Sequence, residues 1–316
     1  MQKLYFALVI CFYGIPLTGQ QEQMYTQFMF NKLVYNPAYA GSFESPTLTA
    51  VFRKQWMGVE GAPDAQVLSY NQPALGGRVG LGGSIVRQSI GIGTSLTFEF
   101  AYSYRIKFKR GVFSAGLLPS VRNIRQNWAD DRIYAIDNFD QAIPIDPKNK
   151  VVANVGAGVY YYAYNDKWYA GLSVPRLVPN NIDFADIGDF SREVQHVNAM
   201  GGYTFKPNDE LEITPQALFR YAIGAPFDVE TNVSLLLKKK YYGGLTYRVG
   251  GDTKGLGESV DILLGLQATE NLFFCFSYDI GITKLRKVSN GTFELMARWW
   301  FAPPDNVTEY DGSRPF

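Results

Sequence analysis

Few residues of this chain have the type and spacing that catalysis or metal binding requires. The chain has one histidine, His196, and two cysteines, Cys11 and Cys275. His196 is able to act as the general base for a serine nucleophile, which would make the protein a hydrolase. Serines are frequent, but no spacing singles one out as its partner. Cys275 alone forms neither a thiol pair nor a structural zinc site.

Five aspartates lie close together between residues 127 and 150, namely Asp130, Asp131, Asp137, Asp140 and Asp146. Calcium binds carboxylates on loops, but the EF-hand spacing D-x-[DN]-x-[DN]-G is absent. The sequence GLGG at 80–83 lacks the context of a phosphate-binding loop and indicates tight backbone packing. We therefore predict no catalytic, cofactor-binding or metal site, and a solvated acidic loop at 127–150.

The elements that position these residues are β-strands. In TSLTFEFAYSYRIKF, residues 94–108, every second residue from Leu96 is large and apolar or aromatic. A period of two is typical of a strand with two chemically different faces. Similar segments recur along the chain at about 46–57, 64–73, 78–88, 94–108, 111–126, 151–164, 167–175, 194–206, 209–222, 226–238, 240–249, 258–268, 271–284 and 290–301.

The connections between these fourteen segments indicate a membrane barrel. Connections after even-numbered strands are tight, and the two longest, 127–150 and 176–193, follow strands five and seven. Outer-membrane barrels have short periplasmic turns and longer external loops. Many segments exceed the usual strand length of a β-sandwich and suit a tilted membrane crossing. The sequence thus predicts an all-β, transmembrane, antiparallel up-and-down barrel of fourteen strands, with twelve or sixteen as alternatives.

The ends of the chain predict export to the outer membrane. Lys3, the apolar run LYFALVICFYGIPL and the small residue Gly19 indicate a cleaved signal peptide at 1–19. Without Lys3, the 30 basic residues become 29 and balance the 29 acidic ones, which argues against nucleic acid as a partner. No later stretch is apolar enough for a transmembrane helix. We predict an N-terminal segment (20–45) that is periplasmic or plugs the barrel, the barrel (46–301) and a periplasmic tail (302–316).

The last strand carries a predicted assembly signal. In GTFELMARWWF, residues 291–301, one face presents large apolar side chains and ends in an aromatic residue. Barrels inserted into bacterial outer membranes commonly end in such a strand. The predicted signal residues are Phe293, Leu295, Trp299 and Phe301.

The opposite face of the strands is charged, with both signs present. The charged residues that the alternation places on the inner face are Glu99, Arg105, Lys107, Glu212, Arg220, Asp228, Glu230, Arg248, Asp261, Asp279, Glu294 and Arg298. A channel that selects by charge tends to have a ring of one sign. Mixed signs favour an interior crossed by ion pairs, or one filled by loops or a terminal segment.

Several stretches that periodicity does not explain resemble one family. They are NKLVYNPAYAGS (31–42), RKQWMGVEGAP (53–63), YYYAYNDKWYAGLSVPRL (160–177), FRYAIGAPF (219–227), FSYDIGITKL (276–285) and GTFELMARWWF (291–301). In this order they resemble the PorP/SprF family, outer-membrane proteins of the type IX secretion system of Bacteroidota. The matching positions, whose roles are open, are Asn36, Pro37, Ala38, Tyr39, Ala40, Gly41, Arg53, Gln55, Trp56, Gly61, Ala62 and Pro63.

The resemblance implies a non-enzymatic accessory of type IX secretion, without a cofactor. Its expected partners are outer-membrane lipid and either secretion components, such as the periplasmic ring and motor, or the C-terminal region of a large secreted adhesin. The predicted setting is protein secretion and gliding motility. Two alternatives remain, namely a channel for a small solute and an outer-membrane hydrolase that depends on His196.

Overall fold

The structure of the chain is a computed structural model that describes residues 23–130, 132–133, 146–164, 167–184, 191–222, 225–250 and 257–301. The predicted signal peptide (1–19) and C-terminal tail (302–316) lie outside these residues, as do Asp131, Asp137 and Asp140. In the described part of the chain, no helix combines the length and the apolar character needed to cross a bilayer.

The described residues form fifteen strand segments. These are β1 Thr47–Lys54, β2 Asp64–Ala74, β3 Val79–Ile90, β4 Gly93–Phe108, β5 Gly111–Gln126, β6 Lys148–Ala163, β7 Trp168–Val174, β8 His196–Tyr203, β9 Phe205–Asn208, β10 Leu211–Ala222, β11 Asp228–Leu237, β12 Tyr241–Val249, β13 Ser259–Thr269, β14 Leu272–Gly281 and β15 Thr292–Trp300. Short 3-10 turns occupy Lys32–Val34, Pro37–Tyr39, Leu75–Gly77 and Lys284–Lys287.

The segments form one closed antiparallel barrel of fourteen strands. Apart from β8 and β9, consecutive segments pair with one another, and β15 pairs with β1 from Thr47↔Trp300 to Lys54↔Phe293, which closes the sheet. The segments β8 and β9 lie on either side of Thr204 and both pair with β10, so together they make one strand of the wall. The predicted architecture and the predicted strand count are confirmed.

Several strand boundaries differ by a few residues from the approximate predicted ones, two of them for identifiable local reasons. The first strand was predicted at 46–57 but ends at Lys54, because Trp56 adopts a positive φ of 48° that no strand accommodates. The eighth strand was predicted at 194–206, yet it begins at His196, breaks at Thr204 and continues to Asn208. Alternation of residue types does not reveal either local change of backbone conformation.

The connections differ between the two ends of the barrel. One end, the turn end, carries the connections 75–78, 109–110, 164–167, 209–210, 238–240 and 270–271. The other end, the loop end, carries 55–63, 91–92, 127–147, 175–195, 223–227, 250–258 and 282–291. All but one of the connections at the loop end are longer than any at the turn end. The loop end is therefore the external end, since outer-membrane barrels keep their short turns in the periplasm.

The two faces of the wall differ as the alternation predicts. In β4, Phe98 and Phe100 are about half exposed on the outer surface, whereas Thr97, Ala101 and Ser103 are buried. The face that would meet water in a soluble protein is thus covered with aromatic and aliphatic side chains. In an outer-membrane barrel this face contacts lipid.

The lipid-facing assignment predicts the effect of a charge at mid-strand. Leu264 lies at the middle of β13 and is 61% exposed on the outer face. We expect Leu264→Arg to lower the free energy of unfolding in lipid vesicles by about 2–4 kcal/mol, the cost of arginine at the bilayer midplane. Val288→Arg is the matched control, since Val288 is 67% exposed beyond the wall. Equal unfolding free energies for the two variants in a denaturant titration would contradict the assignment.

Candidate functional site

The described residues before β1 lie inside the barrel. This N-terminal segment (residues 23–45) contributes side chains with none of their surface exposed, among them Phe28, Met29, Lys32, Asn36 and Ala38. Near its start, Thr26 bonds to Asp279, two residues before the loop end of β14. Farther along, Ala40 lies against Gly80, at the turn end of β3. The segment therefore descends from the loop end to the turn end, where β1 begins.

Asn36 fixes the middle of the N-terminal segment. Its Oδ1 accepts the backbone N–H of Ala38 at 3.0 Å and caps the turn Pro37–Tyr39. Its Nδ2 donates to the carbonyl of Val159 in β6 at 2.9 Å. Pro37 suits the first position of the turn because it needs no donor there. Asn36 therefore connects the turn to the barrel wall through a single amide group.

Glycines of the wall make room for the NPAYAG motif. A Cβ on Gly116 would collide with the backbone of Ala38, and one on Gly80 would collide with the carbonyl of Ala40. A Cβ on Gly171 would lie 2.7 Å from Nδ2 of Asn36. Glycine in a strand often marks such a close backbone approach. Gly80 thus confirms the tight packing that GLGG predicts.

Three aromatic rings and a turn hold the end of the NPAYAG motif. The Tyr39 ring packs edge-on against Phe43 and Tyr160, with centroids 5.7 and 5.3 Å away. Gly41 has a φ of 71°, a conformation that favours glycine, and its N–H donates to Oδ1 of Asn71 at 2.5 Å. These contacts turn the chain toward β1.

Arg53 joins the N-terminal segment to the wall at the external half of the barrel. Its guanidinium is 1% exposed and bonds to Asp279 at 2.9 Å and to Glu294 at 3.1 Å. The same group donates to Oγ1 of Thr26 at 2.7 Å. Glu294 in turn accepts the backbone N–H groups of Thr26 and Gln27, both at 3.0 Å. Arg53 and Glu294 thus hold the start of the segment through charge-assisted hydrogen bonds.

Ion pairs continue around the interior from this point. Arg248 lies 3.5 Å from both Glu230 and Asp261 and 3.6 Å from Asp279. Arg220 lies 3.7 Å from Glu230 and from Asp228. These side chains are at most 7% exposed. The predicted mixture of inward charges therefore forms shared ion pairs rather than a ring of one sign.

Arg298 and Lys32 contact aromatic rings in the interior. The Arg298 guanidinium lies 5.5 Å from the Phe30 ring and 5.0 Å from the Phe43 ring, and it donates to the carbonyl of Phe30. The Nζ of Lys32 lies 3.9 Å from the centre of the Tyr169 ring. Cation–π contacts strengthen when they are desolvated. They therefore hold the middle of the N-terminal segment to β15 and β7.

The motif RKQWMGVEGAP forms the end of β1 and the loop 55–63. The N–H of Gln55 donates to the carbonyl of Pro63 at 2.9 Å, which closes the base of the loop. Gly61 has a φ of 70°, and its carbonyl accepts the N–H of Gly91 at 2.8 Å. The N–H of Met57 donates to the carbonyl of Gly291 at 2.8 Å. Hydrogen bonds thus tie this loop to both of its neighbours.

The long connection 175–195 is tied to the wall by Glu193. Its carboxylate accepts from Nδ2 of Asn154 at 2.7 Å and of Asn180 at 2.9 Å, and it lies 3.2 Å from Arg122. The N–H of Glu193 donates to the carbonyl of Asn180 at 2.8 Å. The described part of this connection is therefore a fixed surface at the loop end.

The other candidate residues lie apart. His196 faces inward as predicted, and its Nδ1 contacts the carbonyl of Val194 at 2.9 Å, while Nε2 has no hydrogen-bond partner in the described chain. No described serine is therefore hydrogen-bonded to it.

Cys275 is buried with a free thiol. The charge-assisted bonds from Arg132 lower the pKa of Asp130 to about 2. Among the described residues, no cluster of acidic, histidine or cysteine side chains is placed to hold a metal ion.

The residues of the predicted assembly signal share the outer face of the wall. Leu295, Trp299 and Phe301 are between 42% and 48% exposed. The N–H of Phe301 donates to the carbonyl of Pro46 at 2.9 Å. Their role in assembly stays a prediction.

Sequence reasoning missed Thr26, Gln27 and Lys32, because nothing in their spacing places them inside a barrel. It also missed the part played by Gly116 and Gly171, although a glycine inside a strand is a usable signal of close approach.

These features define an outer-membrane β-barrel whose interior is occupied by its own N-terminal segment. The chain belongs to the PorP/SprF family, since the model of that family, type IX secretion system membrane protein PorP/SprF, matches residues 17–299. This is a family of secretion membrane proteins and not a known enzyme family.

Solved structures of outer-membrane barrels are similar at low identity. The outer membrane protein Omp33 of Acinetobacter baumannii is 10% identical, with 81% of this chain and 98% of that chain covered and a TM-score of 0.45. A FadL homologue of Pseudomonas aeruginosa is 12% identical, with 85% and 94% covered and a TM-score of 0.45. The CymD monoaromatic hydrocarbon channel is 8% identical, with 89% and 94% covered and a TM-score of 0.49. A comparison with curated proteins finds no match. At these identities and TM-scores, the functions of those proteins are not assigned to this chain.

Proposed function

We propose that this protein is a non-conducting outer-membrane accessory of type IX secretion, which binds the C-terminal region of a large adhesin-like substrate at its loop end. The observation that carries the proposal is the N-terminal segment inside the barrel. Because buried ion pairs and wall glycines hold this segment, the barrel interior serves as a scaffold and not as a solute path. The partner surface is then at the ends of the barrel.

The loop end is better suited to a surface-held substrate than the turn end. The connections 55–63 and 175–195 are fixed by hydrogen bonds to the wall and to their neighbours. Binding residues commonly lie on loops that a rigid scaffold positions. The turn end offers short connections, and contact with the periplasmic ring or motor through that end is the competing proposal.

The experiment that tests the proposal is deletion of the gene followed by complementation. We expect loss of adhesin from the cell surface, while other type IX substrates are still secreted. The full chain should restore adhesin, and a chain with altered residues in the connection 175–195 should restore it only in part. Loss of all type IX substrates would favour the motor contact instead. Normal adhesin in the deletion strain would refute both roles.

The channel and hydrolase alternatives have separate tests. The purified protein should show no steady conductance in planar bilayers, and a stable open pore would favour the channel. Equal esterase activity in the wild type and in His196→Ala, including none in either, would remove the hydrolase.

A further inference from the structure

A cavity of about 360 Å³ opens at the loop end beside the family motif. It lies between the loop 55–63 and the ends of β13, β14 and β15. Its lining includes Arg53, Trp56, Arg248, Glu258, Tyr278 and Arg286. Its volume lies in the range of pockets that hold small ligands or single side chains.

The floor of the cavity has donors without acceptors. Arg53 and Arg248 line it and are at most 2% exposed. In each of them, Nε has no hydrogen-bond partner in the described chain. Of the four carboxylates that pair with these arginines, Glu230, Asp261 and Glu294 do not line the cavity. The fourth, Asp279, does line it and lies 2.9 Å from Arg53 and 3.6 Å from Arg248. Buried donors without acceptors favour a ligand that brings an acceptor.

The rim adds positive charge. Lys284, Arg286 and Lys287 belong to the exposed turn 284–287, and none of them forms an ion pair within the described residues. Glu258 also lines the cavity and opposes this charge, and burial raises the pKa of its carboxyl above the ordinary value. The three basic side chains of the turn outnumber this one carboxyl, so the rim favours an anion.

The side walls are partly apolar and fixed in place. Tyr278 donates its hydroxyl to the carbonyl of Asn290 at 2.6 Å, which holds the ring. The N–H of Trp56 donates to Oγ1 of Thr292 at 3.2 Å. Both rings line the cavity together with Leu285, which is 45% exposed. An aromatic and aliphatic wall beside guanidinium groups suits a carboxylate that has an apolar neighbour.

We infer that this cavity binds a carboxylate-bearing segment of a polypeptide, with the carboxylate toward Arg53, Arg248 and Arg286 and an adjacent apolar side chain against Trp56 and Tyr278. The inference rests on the proposed function and names the place where the substrate's C-terminal region docks. A lipid phosphate is less suited, because Arg53 and Arg248 face the barrel interior and are not accessible from the lipid side.

The test uses the purified full chain in detergent and two labelled peptides. One is acetyl-Leu-Glu-Val-Glu-Leu with a free carboxylate, and the other is acetyl-Leu-Gln-Val-Gln-Leu-amide. We expect the acidic peptide to bind at least about tenfold more tightly by fluorescence anisotropy. Arg286→Glu should weaken its binding about tenfold, and Glu258→Gln should strengthen it. Lys148→Glu, a matched exposed charge reversal on β6 at the same end, should leave it unchanged.

Equal binding of the two peptides, or equal effects of Arg286→Glu and Lys148→Glu, would overturn the cavity assignment. So would lipid A binding that Arg286→Glu abolishes while the acidic peptide still binds. The peptide test and the deletion test fail separately. If the deletion strain loses surface adhesin but the purified protein does not bind the acidic peptide, the cavity assignment is refuted and the proposed function stands. Peptide binding with normal surface adhesin in the deletion strain removes the adhesin role and keeps the cavity.

Discussion

Gly116→Val is expected to convert a non-conducting barrel into one that conducts ions. Gly116 lies in β5 under the NPAYAG turn, and a Cβ there would come within 2.6 Å of the Pro37 carbonyl carbon and 2.7 Å of the Ala38 Cα. Both neighbours are backbone atoms, so no flexible side chain is able to move aside. The N-terminal segment must therefore shift from the wall. Overpacking of this kind costs about 1–3 kcal/mol, and a displaced segment leaves the polar interior open to water.

Planar bilayer recordings and thermal unfolding of the purified protein measure the two effects of Gly116→Val. The matched control is Gly243→Val in β12, since a Cβ at Gly243 meets no atom within 4 Å. We expect the control to stay silent and to unfold as the wild type does. Conductance in both variants would mean that a valine in the barrel wall causes it, and not displacement of the N-terminal segment. Silence in both, with unchanged unfolding temperatures, would show that the segment tolerates the extra volume and would contradict the packing argument.

The fold was predictable because lipid and interior select opposite residue types at neighbouring positions. Phe98 and Glu99 illustrate this, since one is 51% exposed on the outer face and the other is paired inside with Arg176. Because neighbouring residues in a strand point to opposite faces, such a pair shows which face contacts lipid and which faces the interior. Strand ends were less predictable, because the positive φ of Trp56 is a conformational property that alternation does not encode.

Most of the candidate site was not predictable from the sequence, because its contacts join residues far apart in the chain. Asn36 and Val159 are 123 positions apart, and Thr26 and Asp279 are 253 positions apart. The sequence places Asp279 and Glu294 on the inner face and gives a plug at 20–45 as one of two alternatives, but it does not show which residues of that segment contact them. Only the family resemblance drew attention to NPAYAG and to Arg53. What these positions have in common is contact between the N-terminal segment and the wall or between neighbouring loops.

Arg53→Ala is expected to be among the most destabilising single substitutions in this protein. Arg53 is the guanidinium that Asp279, Glu294 and Thr26 share, and all four side chains are buried. Its removal leaves two carboxylates with less compensation, and breaking a buried pair costs about 3–5 kcal/mol. Denaturant unfolding in lipid vesicles, followed by the gel shift between folded and unfolded barrel, measures the loss of free energy.

Arg87→Ala is the matched control for Arg53→Ala, because Arg87 also pairs with an aspartate near the loop end. Its partner Asp64 lies 3.1 Å away, but the two side chains are 43% and 21% exposed. Exposed pairs contribute about 0–1 kcal/mol, so Arg87→Ala should cost far less. The double variant Arg53→Ala with Glu294→Gln should recover part of the loss, since it removes one uncompensated carboxylate. If Arg53→Ala costs no more than Arg87→Ala, water enters the external half of the barrel, and the N-terminal segment is not held there by the ion pairs of Arg53.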